Sequence, residues 1–409
     1  MIETSFLIPT IILLGISVVI STIISVLKIR IVPSFVLEII VGIILGATLK
    51  DYFTANNFTH IADGLYVIGF SLIMFLSGFD ADLNILTDDE RSSTTHINIV
   101  RTSIILLVSV YLLSLVASFA FINNFNKRFL GIILLTITFS STFAGVVAPL
   151  VVVERLNRTG WGNMMITFAF LSELVSIILL SIYMIINEPS INSLWGVLLI
   201  AVVFIALHFS LKLKHGRKMQ EGMVFLKTRM IFLALALSVV LSEFAGGEYV
   251  LGAFILGFFL KSMGISEHRI HVFENIGYGL FIPLFFILVG FQIDIIHFVN
   301  NPKLLLLVLL LFACFIVVKV PLLYLTKWYK SKLAITSVIL SSCTLVVAIT
   351  ASHIGHQYEL FSEEFGQALI LACVLTSIVA PIVFEINFPK TIKYLRNREK
   401  GITYGRYYQ

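Results

Sequence analysis

Apolar stretches long enough to cross a bilayer follow one another along almost the whole of this 409-residue chain. A helix needs about 20 such residues to span the hydrocarbon, and in lipid only helices and closed barrels satisfy their own backbone. About thirteen segments qualify: 6–27, 33–49, 61–79, 99–121, 129–153, 162–187, 191–211, 225–245, 249–264, 271–294, 303–326, 332–356 and 362–385. The chain is 58% hydrophobic and 12% charged, with a mean hydropathy of +1.02. That character is too even for one anchor attached to a soluble domain. The expected fold class is an all-α polytopic membrane protein.

The basic residues orient the spans. With the N-terminus outside, the inner loops collect Lys28, Arg30, Arg91, Arg101, Arg155, Arg158, the run 212–229, Lys261, Arg269, Lys327, Lys330, Lys332 and the tail. The outer loops keep only Lys50, Lys127, Arg128 and Lys303. One miscounted helix would scramble this split, so the C-terminus is expected on the cytoplasmic side of a cell membrane. A sequence pI of about 9.0 then reflects topology-setting charge, with lipid and not nucleic acid as the partner. Residues 1–389 read as one membrane domain and 390–409 as a short basic cytoplasmic tail. MIETSFLIPTIILL lacks a basic region and a small-residue cleavage site, so it reads as a first span and not a removed signal. Cys314, Cys343 and Cys373 lie inside apolar runs and read as small buried hydrophobes, not a disulfide framework.

Two spans are interrupted in the same way. Segment 129–153 contains TFSSTFAGVVAP and segment 332–356 contains ILSSCTLVVAIT. Superimposed, they pair Ser141 with Ser341 and Val146-Val147-Ala148 with Val346-Val347-Ala348. As the fifth and twelfth spans they would run in opposite directions through the membrane. Inverted repeats with discontinuous helices near the midplane are a recurring design of secondary transporters. Opened backbone survives at that depth only inside protein or along a water-filled cavity. The competing account is that Ser and Thr simply let helices pack closely.

Two charged side chains stand deep within spans. Glu173, in TFAFLSELVSII, shares a helical stripe with Ala169 and Ser176. A charge at the bilayer centre costs about 2.5–3.5 kcal/mol on insertion scales, so this carboxyl needs a partner, a proton or a function. Exchange of a proton for a cation is one account, and a packed, protonated acid is the other. Lys319, in FIVVKVPLLYL, lies ~12 Å inside the span by helical rise. It either snorkels to the surface or neutralises an acid of the other repeat, with Glu173 as the candidate. Glu38 among packing glycines reads as a contact within a helix pair. Asp63, Glu243, Glu248 and Asp294 read as interfacial. His353, His356, Glu359, Glu363 and Glu364 form an acidic exterior mouth.

These motifs together resemble the membrane domain of Kef-like bacterial cation:proton antiporters of the sodium/hydrogen exchanger family. IVPSFVLEIIVGIILGATL and LIMFLSGFDADLNIL resemble two of its helices. LGAFILGFFL followed by FENIGYGLFIPLFFILVGFQIDI is the most specific match. The resemblance runs in order over nearly the whole chain. It implies a moving core (about 99–187 and 303–385) holding the two crossed, broken helices. It also implies a dimerisation scaffold (about 1–79 and 191–294), hence a homodimer. Ser140, Ser141 and Thr142 match the family's SST element, Glu173 its exchange carboxylate and Lys319 its basic residue. Three departures stand out. Ser172 precedes the carboxylate where the family usually has Asn or Asp, Phe143 follows SST where many sodium-selective members have Asp, and SSCTLVV replaces an Arg-bearing stretch. The family's nucleotide-binding module has no counterpart here, so its ligand gating is not implied.

The expected activity is exchange of Na⁺ or K⁺ for protons, a secondary transport and not an enzymatic reaction. Glu173 would hold cation and proton in turn, with Ser172, Thr142, Ser141 and broken-helix carbonyls completing the site. Ser140, Phe143, Ser341, Ser342 and Thr344 would line the breaks. Glu173 would then be the one, transient metal ligand, and no cofactor is expected beyond the transported ions. A cation-coupled solute transporter and a non-transporting sensor are the alternatives. The sequence contains no nucleophile–His–acid set, phosphate-binding loop or metal cluster.

Overall fold

The computed structural model describes residues 7–27, 34–55, 59–80, 98–153, 156, 159–187, 220–244, 249–263, 265, 267–329 and 331–406. Among these residues the chain is helical, with no strand beyond the isolated bridge between Phe125 and Phe361. The helices are α1 (Leu7–Leu27), α2 (Ser34–Ala55), α3 (Thr59–Asp80), α4 (Ile99–Phe119), α5 (Arg128–Ser140), α6 (Ala144–Val153) and α7 (Gly160–Asn187). They continue as α8 (Gln220–Phe244), α9 (Tyr249–Ser262), α10 (Glu267–Ile276), α11 (Ile282–Phe291) and α12 (Ile295–Asn300). The last are α13 (Pro302–Val317), α14 (Ser331–Ser341), α15 (Val346–Gln357) and α16 (Glu363–Arg406). Eight segments are long and apolar enough to cross a membrane, and four shorter apolar helices accompany them. Between them they take up every expected span except 191–211, which lies outside the described residues. The chain is thus a multi-pass membrane protein. The basic tail continues the last helix through Arg406.

The chain divides into two compact units. One gathers the described parts of 1–23, 38–83 and 181–292, the other those of 24–37, 84–180 and 293–409. In the first unit helices approach to backbone contact. A Cβ on Gly78 would sit 2.1 Å from the Phe254 carbonyl oxygen, and one on Gly257 would sit 2.0 Å from that of Phe75. α3 and α9 therefore touch reciprocally. Gly42 and Gly290 do the same for α2 and α11, against Ile287 and Ile39. Without a hydrophobic drive between helices in lipid, such small-residue contact is what holds spans together. Phe70 and Phe285 stack at 4.8 Å beside Tyr66. Glu38 is buried here on α2.

The second unit is layered from outside to inside. α4 presents Ile104, Ile105, Val108, Leu112 and Val116 to its surroundings, as expected of a lipid-facing span. Only 33% of its apolar window is buried, against 89% for Ser331–Gln357. The interrupted helix α14–α15 is therefore interior. Its far end is tied to the start of the other interrupted helix. Asn126 donates its backbone N–H to the Leu360 carbonyl at 2.8 Å and its amide to that of Glu359 at 3.1 Å. Lys127 Nζ reaches the Tyr358 carbonyl at 3.0 Å, and Phe125, Phe361 and Phe365 pack together beneath. Of the acidic mouth, Glu364 bonds His297 Nε2 at 2.9 Å.

Candidate functional site: the two helix breaks

α5 ends at Ser140 because Ser141 turns extended, at φ −65° and ψ 154°. The helix resumes at Ala144. This gap exposes carbonyls at one end and N–H groups at the other, which a helix cannot satisfy itself. Each end also carries a partial charge of roughly half a unit. Lys319 meets the carbonyl end: its ammonium donates to Ser140 O at 2.6 Å, Ser141 O at 2.8 Å and Thr142 Oγ1 at 3.2 Å. Glu173 meets the amide end, its Oε2 accepting from the Ala144 N–H at 2.9 Å. A cation sits on the negative end and a carboxylate on the positive one. Both side chains are buried, at 0% and 4% exposure.

Lys319 owes its position to a change of helix type. α13 stops at Val317, and Val320–Lys327 continues as a tighter 3₁₀ helix with Pro321 in its first turn. Proline has no N–H and cannot continue an α-helix. Lys319, at the junction, points inward and does not snorkel. The expected ion pair with Glu173 is not formed: the ammonium is committed to the backbone and hydroxyl oxygens of 140–142.

The second break mirrors the first in outline. α14 ends at Ser341 and α15 begins at Val346, with Leu345 at its start making no side-chain cap. The two breaks bind one another. Thr142 Oγ1 donates to Ser341 O at 2.8 Å, the Phe143 N–H donates to Cys343 O at 2.8 Å, and Ser141 and Thr344 share a hydroxyl–hydroxyl bond. Ser342 bonds back to Ile339 O, and Cys343 Sγ lies 3.2 Å from Ser377 Oγ. Ser172 Oγ donates to Ser140 O at 2.7 Å, tying the carboxylate helix α7 to the same break. Ser140 Oγ turns back onto Thr136 O. Phe143 is buried edge-on against Phe35 at 6.1 Å, and its ring fills the space beside Gly145.

The structure thus brings together Glu173, Ser172, Ser140, Ser141, Thr142, Phe143, Lys319, Ser341 and Thr344. Sequence reasoning missed Tyr111. Its hydroxyl lies 2.9 Å from Ser176 Oγ, one turn beyond Glu173. The available signal was a single phenol within the otherwise apolar run LVSVYLLSLV. Trp161, which donates to Ser337 Oγ at 2.9 Å, was missed for the same reason: aromatic residues in spans read as packing.

A buried carboxylate held against an opened helix, inside a polytopic membrane protein, defines the architecture of a secondary transporter. Residues 15–388 match the family described as sodium/hydrogen exchanger, transmembrane, and the chain belongs to that family. It is 29% identical over 366 residues to the "Putative Na(+)/H(+) antiporter YjbQ" of Bacillus subtilis, covering 87% of this chain but only 59% of that protein. It is 22% identical over 367 residues to the Na(+)/H(+) antiporter of Enterococcus hirae, covering 87% and 91%. It is 24% identical over 368 residues to the Na(+)/H(+)-K(+) antiporter GerN of Bacillus cereus, covering 87% and 90%. Its fold is shared with the sodium proton antiporter MjNhaP1 of Methanocaldococcus jannaschii, at a TM-score of 0.55 and 14% identity over 92% of this chain and 95% of that one.

Proposed function

We propose that this protein exchanges a monovalent cation, Na⁺ or K⁺, for protons by alternating access, with Glu173 as the exchange group. The observation that carries this reading is the Glu173 carboxylate, buried in a span and anchored through Oε2 on the Ala144 N–H of an opened helix. A carboxyl so placed, out of bulk water, favours neutralisation by a proton or by a dehydrated cation. Competition for one carboxylate couples the two fluxes. Thr142, Ser141, Ser172 and break carbonyls supply neutral oxygens of the kind hard monovalent cations take. Lys319 is committed to the exposed carbonyl end of the break, against the oxygens of 140–142. No resident cofactor enters the reading; cation and proton are substrates.

Membership of the sodium/hydrogen exchanger family and the names of the relatives support the activity. The two compact units support a division between a moving core and a scaffold through which two copies pair. The cell membrane, with the N-terminus outside and the C-terminus cytoplasmic, is the placement the loop charges favour. The reading is tested in everted vesicles carrying an imposed pH gradient. Adding Na⁺, K⁺ or Li⁺ should dissipate the gradient with the native chain and not with Glu173→Gln. Full activity in that variant would remove Glu173 from the mechanism.

A further inference from the structure

Most hydroxyls along the two interrupted helices are engaged. Thr136, Thr138, Ser140, Ser141, Ser337, Ser342 and Thr350 each donate to a carbonyl three or four residues back in their own helix. Thr142 and Thr344 bond across the breaks. Ser341 differs. Its side chain is fully buried, at 0% exposure, and its Oγ has no hydrogen-bond partner. Its position is equally particular. The carbonyl of the same residue accepts from Thr142 Oγ1, so the unpartnered hydroxyl lies where one break touches the other. Such a hydroxyl is destabilising if nothing answers it, and in native proteins it calls for a ligand, a water or a functional reason.

We propose that Ser341 Oγ is a ligand of the transported, dehydrated monovalent cation, completing from the second break a site whose charge comes from Glu173. This rests on the exchange reading above. The chemistry is asymmetric between the two cargoes. A proton on Glu173 is bound by that carboxyl alone and leaves Ser341 unanswered. A cation shed of its water needs several oxygens, and the hydroxyl meets it only in the cation-loaded state. Ser341 therefore strengthens cation binding without strengthening proton binding, and it biases their competition toward the cation. Thr142, already engaged to both Lys319 and Ser341 O, fixes the distance between the two breaks across which the ion is held.

The idea makes an unusual demand on Ser341→Ala. The hydroxyl makes no bond within the protein, so its removal should leave thermal stability unchanged or slightly raised while the apparent KM for the cation rises about tenfold. Ser114 supplies the control: its Oγ is also buried and unpartnered, but on the continuous helix α4, and Ser114→Ala should leave the KM unchanged. Ser341→Cys, of similar size with a soft sulfur poorly suited to alkali cations, should behave as Ser341→Ala and guards against a folding artefact. The measurement is antiport in proteoliposomes at fixed pH over a range of NaCl and KCl, with melting of each purified variant in the same salts. A KM within twofold of native for both cations in Ser341→Ala and Ser341→Cys would overturn the proposal and leave a bound water as the answer to the hydroxyl. A native protein that moves no protons with either salt would instead overturn the exchange reading itself.

Discussion

At the first break, a buried ammonium closes the carbonyl end and a buried carboxylate closes the amide end; at the second, a hydroxyl and a backbone N–H borrowed from the first serve the carbonyl end alone, and Leu345 offers no side-chain cap to the amide end. The two interruptions are matched in sequence, Ser141 over Ser341 and the VVA triplets over one another. Their electrostatics differ completely. The first carries two formal charges, Lys319 and Glu173, and the second receives neutral donors only, Thr142 Oγ1 and the Phe143 N–H. A shared backbone geometry therefore specifies that a helix opens, not how its ends are compensated. Both charges stand at one break, and the other break is a neutral partner held to it.

Four substitutions probe that contrast. The largest effect should come from Glu173→Gln. The amide oxygen still accepts from the Ala144 N–H, so the fold stays, while proton-coupled cation flux falls roughly a hundredfold or more; dye dequenching in vesicles measures it. Lys319→Met removes three hydrogen bonds and strands the buried Ser141 carbonyl, Ser140 O keeping the Ser172 hydroxyl, and it should lower the unfolding free energy by about 3 kcal/mol or more. Denaturant titration of the purified protein reads that change. Thr142→Val removes one of the three bonds between the breaks and the longest of Lys319's three contacts while leaving both charged side chains in place, and it should cost about 1–3 kcal/mol. If it cost as much as Lys319→Met in the same titration, the contrast between a charged and a neutral break would fail. Ser342→Ala should be nearly silent, below about 1 kcal/mol, because Ile339 O keeps the Ser342 N–H at 3.2 Å after the hydroxyl is gone. A large loss there would mean that the second break is more demanding than its hydrogen bonds indicate.

Much of this was legible in the chain. Runs of about 20 apolar residues gave the spans, since bilayer thickness translates directly into helix length. The Ser/Thr clusters in 129–153 and 332–356 marked both interruptions, and isolation in an apolar run singled out Glu173 and Lys319. The partners were not legible. Lys319 was expected to seek the carboxylate and instead binds the carbonyls of Ser140 and Ser141; Tyr111 and Trp161 passed for packing.

The physical reason is one of range. Hydropathy, helix length and loop charge are properties of a segment and its solvent, so the sequence by itself determined a multi-pass helical protein with two opened spans and a carboxyl inside one of them. A hydrogen bond depends on a few tenths of an ångström between groups far apart in the chain. Only the tertiary structure decided that Lys319 caps the break, that Ala144 holds Glu173, and that Ser341, of all the buried hydroxyls along the two interrupted helices, was left with its oxygen unanswered.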